Sequence, residues 1–112
     1  MIEAIIRNYL LNAGLSVDVF LEVPQDPPAE YVLIEKTGSG RTNHITQAMI
    51  AIKSISKQSM YRAASINEEV KNAMDEIIYA EDIFRCELNS DYNFTNTTTK
   101  EYRYQAVFNL FY

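Results

Sequence analysis

Four groups of residues in this chain have types and spacings from which a chemical site could be built. The first is Gly38-Ser39-Gly40-Arg41. A glycine-rich turn lets backbone N–H groups approach a phosphate when it opens onto a helix N-terminus. Here the pattern that follows is a strand. The Lys-Ser/Thr of a P-loop and the third glycine of a dinucleotide fingerprint are both missing. The segment therefore reads as a flexible turn, with Arg41 and Asn43 offered to a partner. The second group is His44 and Cys86, the one histidine and the one cysteine. A zinc site or nucleophilic triad needs more ligands or acids at fixed spacing. His44 accordingly reads as a surface residue at a loop end. Cys86 falls on the apolar side of a strand pattern and reads as a buried, inert thiol.

The third group is acidic: Asp75, Glu76, Glu81, Asp82, Glu87 and Asp91. Such carboxylates could hold a divalent metal for a small nuclease. Asp75 and Glu76 fall on the polar face of a helix pattern, however, and Glu87 and Asp91 on the polar side of a strand pattern. A nuclease would also need cations beside them to hold phosphate, so a solvated surface is the simpler reading. The fourth group is Tyr92, Tyr102, Tyr104 and Tyr112, all on the apolar side of a predicted hairpin. Tyrosine combines an apolar body with a polar tip and is favoured at interfaces. Two readings stand for these residues: a contact surface, or a core with a tyrosine-rich rim.

The elements that must carry these groups are legible as periodicities. Residues 59–79, SMYRAASINEEVKNAMDEIIY, place Ala63, Ile66, Val70, Ala73, Met74, Ile77 and Ile78 on one helical stripe. The predicted helix starts near Ser59, although Ser65-Ile66-Asn67-Glu68 also fits a capping box. Ile2, Ile5, Ile6, Tyr9, Leu10 and Ala13 make a second, shorter stripe that ends at Gly14. Strand patterns cover residues 17–23, 31–36, 45–57, 83–94 and 102–112. Pro24, Pro27 and Pro28 close the first of these, because proline removes a ladder donor. Residues 38–43 are expected to form a polar loop. Met49-Ile50-Ala51-Ile52 is apolar on both sides, which suits a central strand covered on both faces, by helices or by another subunit. The last two strands are expected to form an antiparallel hairpin across residues 95–100.

The expected fold is α+β, in the order α-β-β-β-α-β-β. It has a mixed or antiparallel sheet of about five strands, with the long helix on one face and a short N-terminal helix. Its 112 residues suit one domain. A chain of this length buries about two-thirds of its unfolded surface. Its net charge of −5 argues against nonspecific nucleic-acid binding and against an anionic membrane surface. A lone cysteine allows no internal disulfide, which fits a reducing compartment. Residues 1–14, MIEAIIRNYLLNAG, are interrupted by Glu3 and Arg7 and are not expected to be a signal peptide. No run approaches the roughly 20 apolar residues of a membrane span. The two Asn-X-Thr sequons at Asn93 and Asn96 are read as chance.

The whole arrangement resembles the tail-terminator, or tail-completion, proteins of long-tailed bacteriophages and prophages. The resemblance lies in the N-terminal amphipathic helix, the Tyr31-Val32-Leu33-Ile34 strand between polar breaks, and the long strand through Ala48-Met49-Ile50-Ala51-Ile52-Lys53. It continues through polar residues 54–59 into an Ala-containing helix, and ends in a Tyr/Phe-rich hairpin with Arg103-Tyr104-Gln105-Ala106-Val107-Phe108. It covers nearly the whole chain and rests on length, order and texture, with no short motif. It implies a structural protein without catalytic residues or cofactor. Such a protein forms a ring, commonly hexameric, that caps the tail tube, ends polymerisation and offers the head-attachment surface. Its partners would be further copies of itself, the major tail or tube protein, and a head-completion or neck protein. It would sit in the host cytoplasm during assembly and then at the head-proximal end of the virion tail. By similarity, ring contacts would come from sheet edges and long loops, here residues 37–44 and 93–101. Arg41, Asn43, His44, Tyr92, Tyr102 and Tyr104 are the candidate contacts. An acidic ring lumen would let DNA pass without sticking. The alternatives are a head–tail connector or neck protein, a small regulatory binding module and, last, a metal-dependent nuclease.

Overall fold

The computed structural model describes residues 1–80, 82–96, 98–99 and 101–112. The elements are α1 (Ile2–Asn12), β1 (Asp18–Phe20), β2 (Glu30–Thr42), β3 (Ile45–Ser56), α2 (Met60–Met74), α3 (Ile77–Ala80), β4 (Arg85–Asn93) and β5 (Tyr102–Phe111). The strands form one five-stranded sheet in the order β1-β2-β3-β5-β4. β1 lies parallel to β2, and the other neighbours are antiparallel. The α+β class and the predicted element order are both observed, with the short α3 added before β4. Glu81, Thr97 and Lys100, which the acidic group and the hairpin link include, lie outside the described residues.

The helices pack on one face of the sheet. Ile6 and Leu10 of α1, Ile66, Val70 and Met74 of α2, and Ile77 of α3 share a core with Val32, Ile34, Ala48, Ile50, Ile52, Ala106, Phe108 and Leu110. Each large apolar side chain so buried contributes about 1.5–3 kcal/mol. α2 begins where Ser59, in an extended conformation, accepts the Arg62 N–H on its hydroxyl at 3.1 Å. The 59–79 stripe is interrupted at Asp75 and Glu76. There the Glu76 N–H reaches the Ala73 carbonyl and the Tyr79 N–H reaches that of Glu76, at 3.1 and 3.0 Å. These three-residue bonds tighten the last turn, while Met74 and Ile77 stay in the same core.

Two sequence expectations need correction. First, residues 38–43 are not a loop. β2 continues to Thr42 and pairs with β3 as far as Thr42↔Ile45. Only Asn43 and His44 turn the chain, with φ of 51° and 67°. Positive φ at both central residues gives the hairpin turn whose twist matches its strands. Cross-strand hydrogen bonds hold this arm together, so it needs no apolar alternation to form. Second, period two does not run unbroken through β4. The register shifts between Leu88 and Ser90, and the bulge moves later residues to the opposite face. Among the described residues no helix covers the second face of the sheet, so of the two covers expected for the central strand, helices or another subunit, helices supply only one face. Tyr31, Ala51, Ile55 and Val107 are buried there outside the helix-side core. Long side chains lie on this face. Phe94 lies between Lys53 and Arg103, with ring centroid distances of 5.8 and 4.9 Å to the cations. Phe20 packs edge-on against Tyr31 at 5.8 Å. Such side chains cover apolar surface with their stems and keep their charges wet.

Candidate assembly interface

Among the described residues the sheet ends in two free margins. β1 pairs with β2 only at Tyr31, Val32 and Leu33. Beyond Leu33 the outer edge of β2 meets no strand among the described residues, and positions 35–42 are exposed. At the other margin lies β4, the last strand in the order. Both edges present rows of N–H and C=O groups that a further strand could pair with.

The structure brings the predicted contacts into two places. Arg41, Asn43 and His44 all sit, exposed, at the tip of the β2–β3 arm. Beside the tip is a shallow hollow of about 260 Å3 lined by Thr42, Asn43, Ile45, Gln47, Phe84, Arg85 and Phe111. Phe84 is 61% exposed. The Arg85 guanidinium lies 5.3 Å over the Phe111 ring and pairs with Glu87. An exposed aromatic beside a stacked arginine is the composition that concentrates binding energy at protein interfaces. Sequence reading missed both aromatics, treating Phe84 as a member of an apolar strand pattern and not singling out Phe111. Position at a strand end was the available signal.

The tyrosines do not form one patch. Tyr102 and Tyr104 of β5 alternate with the core residues Ala106, Phe108 and Leu110 and lie on the helix side. Tyr92 lies on the opposite face, because the β4 bulge places it across from Gln105. Its hydroxyl accepts a hydrogen bond from Gln105 Nε2 at 2.5 Å. Its ring meets Phe94 edge-on at 6.1 Å. The single apolar face expected to carry Tyr92 with Tyr102 and Tyr104 is thus split in two.

The same bulge separates the carboxylates of β4. Glu87 stays with Arg85. Asp91 turns to α2, where it accepts from Asn67 Nδ2 at 2.7 Å and Lys71 Nζ at 2.5 Å. Asp91, with Glu68, raises the pKa of the Lys71 amine by hydrogen bonding to its charged form. On the β2 side of the sheet, Glu30 takes a forked pair of bonds from Arg62, at 3.0 and 3.1 Å, and one from the Ser56 hydroxyl at 2.9 Å. The Arg62 bond dominates, and it holds the Glu30 carboxyl below its usual pKa. These two clamps fix α2 to β2 and to β4, and neither was read from the sequence. Burial, helped by the charges of Asp75 and Glu87, pushes the Cys86 thiol up to about 11. Among the described residues no three His, Cys, Asp or Glu side chains come together as a metal-ligand set. No helix among them is long and apolar enough to cross a membrane.

Charge is segregated along the chain. Between Glu35 and Glu68 there is no acidic residue, and Lys36, Arg41, Lys53, Lys57 and Arg62 all lie in this interval. Lys53, on the uncovered face, is paired with Glu35 at 3.0 Å. Lys36 and Arg41 take part in no ion pair among the described residues.

No protein-family model matches the chain, and no curated protein matches it in sequence. Solved structures do match in fold. A chain in the virion of a native gene transfer agent (GTA) particle aligns with a TM-score of 0.64 and 15% identity, over 96% of this chain and 84% of that one. A crystal structure from Akkermansia muciniphila aligns over 95% of this chain and 46% of that one, at 14% identity and a TM-score of 0.48. The first establishes that this α+β sheet, with its helices on one side, is a fold found in a gene transfer agent virion.

Proposed function

We propose that this protein is a structural component of a phage or phage-like particle. In this reading it acts as a tail terminator, assembling into a ring, commonly of six copies, on the head-proximal end of the tail tube. The observation that carries the reading is the pair of free margins. From β2 through β3 and β5 to β4 the strands alternate in direction, so the two outer strands run opposite ways. The β4 edge of one copy can therefore accept the β2 edge of the next in the antiparallel sense, without inverting the subunit. A contact between two different surfaces of identical subunits closes a ring when its rotation closes. The fold shared with a gene transfer agent virion chain supports the same reading. Tube protein and a head-completion or neck protein would be the partners above and below the ring.

With helices outward, the uncovered sheet face would line the lumen. Its cations Lys53, Arg85 and Arg103 each have an acidic partner, in Glu35, Glu87 and Glu101. The lining would then be charge-balanced in place of the acidic one expected from composition, and equally without free cations to hold phosphate.

Light scattering after size exclusion, followed by negative-stain microscopy, tests the proposal. The expected result is a closed ring of one size, either free or on isolated tail tubes. A strict monomer at high concentration that also leaves tube ends bare would overturn it.

A further inference from the structure

We propose that adjoining copies are keyed by charge, with the Lys36 and Arg41 side of one β2 arm seated against the Asp75, Glu76 and Asp82 corner of the next copy. The occupant of this surface is a second copy of the same chain, so the inference rests on the ring reading above.

The arm is built to point both cations one way. Lys36 pairs with Ile50, Ser39 with Ala48, and Arg41 with Thr46. Ile50 and Ala48 face the helices, so Lys36, Ser39 and Arg41 emerge on the helix side. They do so because of the register shift between Lys36 and Gly38. Without that bulge, odd-numbered Arg41 would stand on the face opposite Lys36. Both cations are exposed.

The acidic corner lies where such an arm would arrive. Asp75, Glu76 and Asp82 are exposed and flank α3, which packs against the start of β4. None of them joins an ion pair among the described residues. Asp75 is close enough to Cys86, the second residue of β4, for its charge to act on the thiol. The tip of β2 and the start of β4 share one end of the sheet, since Gln47 and Arg85 both pair with Phe111. Within the sheet Lys36 is level with Leu88 and Gly40 with Arg85, so antiparallel docking of β2 on β4 at that level would lay the Lys36–Arg41 stretch along the first residues of β4, beside the corner. Backbone pairing alone tolerates slipped registers. A slip of one residue would move Lys36 and Arg41 away from the acids and onto the wrong face. The charges thus supply the register that the hydrogen bonds do not.

Two charge-reversed proteins test this, Lys36→Glu/Arg41→Glu and Asp75→Lys/Glu76→Lys. All four positions are exposed, so both proteins should fold as the parent does by circular dichroism. Alone, each sets like charges against each other and should self-associate about tenfold or more weakly than the parent in sedimentation velocity at low salt. Mixed in equal amounts, acidic arms meet basic corners and basic arms meet acidic corners, and assembly should return. If the reversed proteins assemble as the parent does, or the mixture stays dissociated while the parent assembles, the charge key is wrong and the ring is held by other contacts. If the parent itself assembles neither alone nor on tubes, the ring and the key fail together.

Discussion

The two faces of the sheet reach similar burial by different means. On the helix side, Ile50, Ile52 and Phe108 meet aliphatic side chains held on rigid helices. On the other side, Ala51, Ile55 and Val107 are also buried, and the contacts formed on that face are among lysine, arginine and aromatic side chains. Apolar residues on both sides of a strand thus do not imply a helix on both sides. A rigid layer cannot close over a void, whereas flexible stems can settle into one.

The largest test of this contrast is Val70→Asp. An unpaired carboxylate beneath α2 has no route to water, and a cost above about 4 kcal/mol should leave the chain unfolded by circular dichroism. A folded Val70→Asp protein would mean the helix layer is not the core. Next come paired truncations. Ile52→Ala should lose about 2–5 kcal/mol in urea unfolding. Ile55→Ala, beneath the flexible layer, should lose less, about 1–2 kcal/mol, as its cover collapses. Equal losses would erase the proposed difference between the faces. Phe94→Ala removes the ring between Lys53 and Arg103. A loss of about 1–2 kcal/mol is expected, of which each cation–ring contact supplies about 0.5–1.

The smallest effect concerns pH. The folded Glu30 carboxyl titrates below its unfolded value because Arg62 holds it ionised. Its stabilisation is present above the unfolded pKa and fades as pH falls through the folded one. Glu30→Gln should therefore be less stable than the parent at neutral pH, with the gap narrowing under acid. A gap that does not change with pH would remove the ion pair from the account.

Much of the fold was legible because helices and paired strands write their burial as a period. The stripes at Ile2, Ile6 and Leu10 and at Ile66, Val70 and Met74 are core in the structure. The exceptions share a physical cause. Thr37 to Thr42 form a strand because β3 satisfies their backbone, which leaves no imprint on side-chain polarity. The bulge in β4 adds a residue that periodicity counts as ordinary, and so Asp91 and Tyr92 were placed on the wrong faces. The arm tip was singled out through polar residues that also make good turns. Phe84 and Arg85 became visible as part of the same surface only when the chain ends of β3, β4 and β5 were brought side by side.

Brief β1 has an outcome of its own. It occupies β2 only as far as Leu33 and leaves residues 34–42, a nine-residue length equal to that of β4. In the proposed assembly β1 would act as a stop, limiting how far down β2 the joint can reach, while the charges choose the register within that limit. A variant with β1 extended by even two residues would trim that joint from one end, and the diameter or the survival of the ring would register the change.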